Sequence, residues 1–203
     1  MSDRPLISLF NCDDGSWEKF ENTSDFLDFI SPMEGQELNT ANTKVYAKDL
    51  PFYDGVRILQ TATMLYEDEP TYYFFLEYGG DFVLLRGLSD AIHEVNETGA
   101  IKLDTENVLD YLKFFCLFTK NEEGECYYII EGPESEFVQE LSGYDKSRHL
   151  RKFEGTEVSE FDNLGRCLIK TRVLNEGYVY NATFEVTKTG NVEMKDDEMV
   201  GSV

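Results

Sequence analysis

Basic side chains are scarce in this chain. Its 203 residues include 18 Lys and Arg against 40 Asp and Glu, so the formal net charge at pH 7 is -22. A field of this sign repels phosphate backbones and anionic lipid surfaces, and it attracts cations and basic proteins. The composition therefore argues against nucleic-acid and membrane-surface ligands, and it favours a basic protein as partner.

Long hydrophobic runs and cysteine pairs are also missing. No stretch approaches the ~20 apolar residues that span a bilayer, and the first residues lack the basic start, apolar run and small-residue cleavage site of an export signal. The four cysteines, Cys12, Cys116, Cys126 and Cys167, are far apart and form no C-x-x-C pair. We therefore expect a cytoplasmic protein with reduced, mostly buried thiols and no zinc cluster.

Motifs of catalysis and cofactor binding are absent from the sequence. It contains no G-x-G-x-x-G, no Walker A loop, no G-x-S-x-G and no zinc-finger spacing. Histidine, the usual general acid or base near neutral pH, occurs only twice. The sequence thus predicts neither a cofactor nor a metal, and it gives no positive indication of an enzyme.

Aromatic residues, by contrast, are plentiful. The 15 Phe, 12 Tyr and one Trp supply the apolar area that disordered acidic chains lack. The Gly79-Gly80 dipeptide is typical of a two-residue hairpin turn, and apolar residues on both faces of 71–78 predict a strand inside its sheet. Runs of apolar and alternating residues predict strands at 57–66, 71–78, 82–86, 126–131, 168–174, 178–186 and 191–194.

Three segments have helical spacing. The first begins at Thr23 or Ser24, and a second follows Ser89. The third, Thr105 to Phe118, has Asp104 as a cap and is apolar around most of its circumference, so it needs cover on several sides.

These elements predict an α+β fold. Short turns between neighbouring strands argue against a parallel doubly wound sheet. We predict a single domain, residues 1–203, in which a curved antiparallel sheet packs around a central apolar helix with additional helices at its margin. Residues 31–44 show no regular period and are predicted to be a loop or connector.

One candidate site lies on the predicted helix after Ser89. There Asp90, His93 and Glu97 share one face, because residues three and four apart are neighbours on a helix. The face is either a solvated surface or a titrating or metal-binding site. We favour the surface, since the second His of H-E-x-x-H is missing.

A second candidate is the single basic cluster of the chain. Its cations either pair with acids such as Glu154 and Glu157 or form an anion site for a carboxylate, a phosphate or an acidic segment. We favour internal pairing, because a net-negative protein must place its few cations somewhere. The cluster comprises Lys146, Arg148, His149, Arg151 and Lys152.

A third candidate is a set of aromatic residues on predicted strands and on the long helix. They either line a pocket for a small hydrophobic molecule or form a solid core, and the core is favoured because protein interiors are tightly packed. The set comprises Tyr73, Tyr128, Tyr178, Tyr180, Phe114 and Phe118.

Acidic residues occur in consecutive runs, such as Glu67-Asp68-Glu69 and Asp196-Asp197-Glu198. Calcium loops stagger their ligands at alternate positions around a glycine, and these runs do not. We therefore interpret the runs as solvated turns.

The charge favours a non-enzymatic protein that binds a basic partner, as inhibitors and immunity proteins do. The alternative is a small-molecule binder or an enzyme that uses a pocket among the sheet aromatics. A third interpretation is that the charge only keeps a structural or oligomeric protein soluble. No motif in the sequence decides among the three.

Overall fold

The computed structural model describes residues 17–34, 38–64, 70–121, 124–132 and 155–202. These residues form three helices and ten strands, and every strand pairing is antiparallel, which confirms the predicted α+β class. The helices are α1 (Thr23–Glu34), α2 (Asp90–Glu97) and α3 (Val108–Phe118). The strands are β1 (Glu18–Lys19), β2 (Thr43–Asp49), β3 (Val56–Thr63), β4 (Thr71–Tyr78), β5 (Asp81–Leu84), β6 (Tyr128–Ile130), β7 (Glu157–Val158), β8 (Arg166–Asn175), β9 (Tyr178–Thr187) and β10 (Val192–Ser202).

The strands separate into two sheets, and the chain divides into two compact units. Unit I contains the described residues of Phe10–Leu50 and Gly55–Leu85, and unit II contains Pro51–Asp54 and the described residues of Arg86–Val203. Among the residues described, no helix has both the length and the apolar character that a bilayer crossing requires.

Unit I is a five-stranded meander in the order β1-β2-β3-β4-β5. The predicted hairpin is confirmed. Gly79 and Gly80 connect β4 to β5 with φ values of 60° and 93°, which residues other than glycine rarely adopt. β4 pairs with a strand on each side, as its two apolar faces predicted. β2 was not predicted, and it begins at the end of the segment predicted to be a loop.

Helix α1 covers the core of unit I. Phe26, Leu27 and Ile30 point inward and are at most 1% exposed, which confirms the predicted apolar face. The Phe26 ring meets Phe75 and Phe82 edge-on, with ring centroids 5.1 and 4.8 Å apart. Such edge-to-face contacts add to the free energy gained by burying the rings.

Unit II combines α2 and α3 with a sheet in the order β10-β9-β8-β6, and β7 pairs with part of β8. β8 and β9 pair without interruption from Arg166 opposite Thr187 to Asn175 opposite Tyr178.

α3 begins three residues later than predicted because Thr105 to Asn107 form a turn. The N-cap residue is Asn107, which makes no side-chain cap hydrogen bond, and not Asp104 as predicted. Asp104 instead stabilises the preceding turn, where its Oδ1 accepts hydrogen bonds from the backbone N–H groups of Glu106 and Asn107.

A buried hydrogen-bond chain connects four parts of unit II. The Tyr53 hydroxyl donates to Asn96 Oδ1 (2.7 Å), Asn96 Nδ2 donates to the Tyr111 hydroxyl (2.9 Å), and that hydroxyl donates to the Gly190 carbonyl (2.7 Å). Burial raises the pKa of both phenols, so they keep their protons at neutral pH. The chain ties α2 and α3 to the segment Pro51–Asp54 and to the β9–β10 turn.

Candidate interaction surface at an acidic sheet edge

Strand β10 forms one edge of the unit II sheet. Its eleven residues pair with β9 on one side, and no described strand pairs with it on the other. An edge strand presents a row of backbone N–H and C=O groups that a further strand can pair with. β10 is the longest of the described strands, and no other described strand pairs with its second side.

Acidic side chains follow this edge. Glu193, Asp196, Asp197 and Glu198, here called the acidic edge, are all exposed. Glu193 pairs with Lys195, whose Nζ lies 3.1 Å from Glu193 Oε1. The other three carboxylates have no ion-pair partner among the residues that the structure describes. The edge therefore presents negative charge that the described part of the chain does not neutralise.

A bulge places three of these four acids on one face of β10. Residues directly opposite each other in an antiparallel pair lie on the same face of the sheet. Met194 lies opposite Phe184, but Asp196 lies opposite Thr183, so Lys195 is the extra residue of the bulge. This shift moves Asp196 and Glu198 to the face that already carries Glu193.

The opposite face of β10 is mainly apolar. Val192 and Met194 lie opposite Val186 and Phe184, both buried, and Met199 lies opposite Tyr180. Asp197 interrupts this apolar row. The Met199 side chain is 59% exposed. β10 therefore has an acidic face (Glu193, Asp196, Glu198) and an apolar face (Val192, Met194, Met199).

The prediction of a solvated turn at Asp196-Asp197-Glu198 is wrong, because these residues lie within β10. In a regular strand Met194, Asp196 and Glu198 would share one face, which gives no apolar and polar alternation. The inserted residue, Lys195, moves Asp196 and Glu198 to the face opposite Met194. The separation of acidic and apolar side chains is therefore visible in the structure and not in the spacing of the sequence. The local acid content was the one sequence signal for this site.

The predicted aromatic set is divided between the two units and, within unit II, between the two faces of the sheet. Tyr73 lies on β4 of unit I, where it packs against the core beneath α1, and the other five residues belong to unit II. Tyr128 lies opposite Leu174, which lies opposite Val179, so it shares a sheet face with Val179 and not with Tyr180. Tyr128 and Tyr180 therefore point to opposite sides of the unit II sheet.

The two α3 aromatics belong to the core of unit II. The Phe114 ring lies 5.3 Å from Phe52 and 5.1 Å from Phe118, measured between ring centroids, and both α3 rings are buried. Tyr178, by contrast, is 43% exposed at the start of β9, opposite Ser202. Of the predicted set, Tyr180 lies opposite Met199, the residue that follows the acidic edge on β10.

The predicted face of Asp90, His93 and Glu97 lies on α2. Asp90 and Glu97 are exposed, and the half-buried His93 ring packs near Phe115 with centroids 5.8 Å apart. Within the described ranges, no three His, Cys, Asp or Glu side chains are grouped so as to hold a metal ion. The structure therefore does not bring these three residues together as a metal site.

The predicted basic cluster, Lys146 to Lys152, lies outside the described residues, as does Glu154. The other acid suggested as its partner, Glu157, lies on β7 and pairs with Lys170, Nζ to Oε2, at 3.7 Å. Both members of that pair are well exposed, so the contact adds little stability.

The three described cysteines, Cys116, Cys126 and Cys167, are free and buried, as expected from the sequence. Burial raises the pKa of each thiol, and the thiolate is the reactive form.

We expect a C12S variant to react with a disulfide reagent at pH 8 roughly a thousandfold more slowly when native than when unfolded in urea, because reaction requires the fold to open. Rapid modification of one native thiol would contradict this burial.

No family model, curated protein or solved structure is significantly similar to this chain.

Proposed function

We propose that the protein is a non-enzymatic interaction protein that binds a basic partner protein, as inhibitor and immunity-type proteins do, and that the acidic edge is its contact surface. The observation that carries the proposal is the exposure of Asp196, Asp197 and Glu198 on an open sheet edge, without ion-pair partners among the described residues. Exposed like charges at close spacing repel one another, and a cationic surface relieves that repulsion.

The net charge supports the same partner class. At -22, the chain attracts cationic proteins over distances of about one Debye length, and it slows the approach of anionic ones. Charge complementarity of this kind mainly raises the association rate and excludes wrong partners. We therefore expect binding to be fast and steeply dependent on salt.

The test compares two variants that lose the same charge at different places. One is the edge variant D196N/D197N/E198Q. The other is the control variant E21Q/D28N/E94Q, which neutralises three exposed acids that are not part of β10 and that have no ion-pair partner among the described residues. Each substitution removes one charge and keeps the side-chain shape.

We expect the wild-type chain, immobilised as bait, to retain a basic protein at roughly 0.1 M salt and to release it at roughly 1 M, where the Debye length falls from about 10 to about 3 Å. The edge variant should bind that protein about tenfold more weakly, since three exposed charges are removed. The control variant should bind within about twofold of the wild type. A partner that resists high salt, or that both variants retain equally, would overturn the proposal.

A further inference from the structure

We infer that the partner contributes an extended segment in which basic and apolar side chains alternate, and that this segment adds to the unit II sheet as a strand beside β10. The inference rests on the proposed function and specifies which kind of partner segment binds at the acidic edge. No described strand pairs with the second side of β10, and the backbone groups of an edge strand pair most readily with another extended chain. A helix leaves those groups unpaired, because its own backbone groups are bonded within it.

The two faces of β10 specify the side chains of the added strand. In such a strand successive side chains point to opposite faces of the sheet. Those on one face would meet Glu193, Asp196 and Glu198, and those on the other would meet Met194, Asp197 and Met199. Opposite charges and apolar pairs are the cross-strand neighbours that stabilise a sheet. An alternation of Lys or Arg with apolar residues matches the acidic face and the apolar side chains of the other face, which Asp197 interrupts.

Charge also excludes a second copy of the chain as the occupant. Two β10 strands placed side by side would bring two acidic edges together, and directly opposed like charges destabilise a sheet. Acids and bulges on an edge strand are the usual devices against self-association. Here the same acids attract a segment of opposite charge. The acidic edge therefore disfavours pairing with a second β10 strand and favours pairing with a basic strand.

The probes are two synthetic peptides of equal length and charge, (Lys-Val)5 and (Lys-Pro)5. Proline has no backbone N–H and cannot complete the hydrogen-bond ladder, so the second peptide measures the effect of charge alone. By fluorescence anisotropy at roughly 0.1 M salt, we expect (Lys-Val)5 to bind at least about tenfold more tightly than (Lys-Pro)5. Hydrogen exchange of β10 amides should slow in the presence of (Lys-Val)5 and not of (Lys-Pro)5.

A pair of methionine variants tests the apolar face. M199Q should weaken (Lys-Val)5 binding by about threefold, because it places a polar group where an apolar side chain packs. M64Q changes a similarly exposed methionine directly after β3, and it should leave the affinity unchanged. Equal effects of the two variants would overturn the role assigned to Met199.

The outcomes separate this inference from the proposed function. If both peptides bind equally and the edge variant D196N/D197N/E198Q weakens both, the acidic edge binds basic partners but no strand is added. If neither peptide binds, or if the edge and control variants bind equally, the proposed function fails as well. A dimer in sedimentation, with β10 amides protected in the absence of peptide, would identify a second copy as the occupant and overturn the inference.

Discussion

Replacing Gly190 with alanine is expected to lower the free energy of unfolding by on the order of 3 kcal/mol. Gly190 has a φ of +83°, and a Cβ there would lie 2.3 Å from Asn96 Nδ2 and 2.6 Å from the Tyr111 hydroxyl. Both groups belong to the buried hydrogen-bond chain, so they cannot withdraw without losing partners. Urea unfolding followed by far-UV circular dichroism measures the loss.

Gly99→Ala is the matched control. Gly99 lies in the same unit with a φ of +80°, but an added Cβ there meets nothing within 4 Å. This variant therefore has the strain of a positive φ without the steric overlap, and it should lose about 1 kcal/mol. The difference between the two variants isolates the close approach at the β9–β10 turn. If Gly190→Ala is no more destabilised than Gly99→Ala, the result would contradict the close packing of Asn96 and Tyr111 against this turn.

Truncating Phe26 to alanine should destabilise unit I by about 3–5 kcal/mol. Phe26 is fully buried, and its ring is enclosed by Phe20, Phe75 and Phe82, so its removal leaves a cavity as well as the lost apolar burial. Trp17, the single tryptophan, is buried in the same unit and reports on its unfolding by fluorescence.

Phe29→Ala is the control on the same helix. Phe29 is 50% exposed and contacts only the Phe82 ring among the described aromatic pairs, so its truncation should lose about 1 kcal/mol or less. Because both variants replace Phe with Ala in the same helix, the change in helix propensity is similar and cancels in the comparison. Equal destabilisation by the two truncations would contradict the inward orientation of Phe26.

Local signals in the sequence predicted several elements well. The Gly79-Gly80 turn and the aromatic runs around it predicted the β4–β5 hairpin, because a two-residue turn determines the register of its strands. Helical spacing predicted α1 and most of α3. Each of these signals depends only on neighbours along the chain.

β2 escaped prediction for a physical reason. Its sequence, TKVYAKD, alternates buried and more exposed residues from Thr43 onward, but Ala47 and the two lysines do not favour a strand by propensity. Pairing with β1 and β3 and burial of Val45 and Ala47 outweigh that weak preference. The division of the strands into two sheets likewise depends on contacts between distant segments.

By itself, the sequence determined the sign and density of surface charge, the periodic burial of aromatic residues and the tight turns, because these depend on residue type and short-range spacing. The tertiary structure alone decided that Asp196, Asp197 and Glu198 lie on an open strand edge. It also decided which of them share a face, because the bulge at Lys195 changes the alternation after the strand has paired. Strand register against β9 is a property of two paired segments, and neither segment contains it alone.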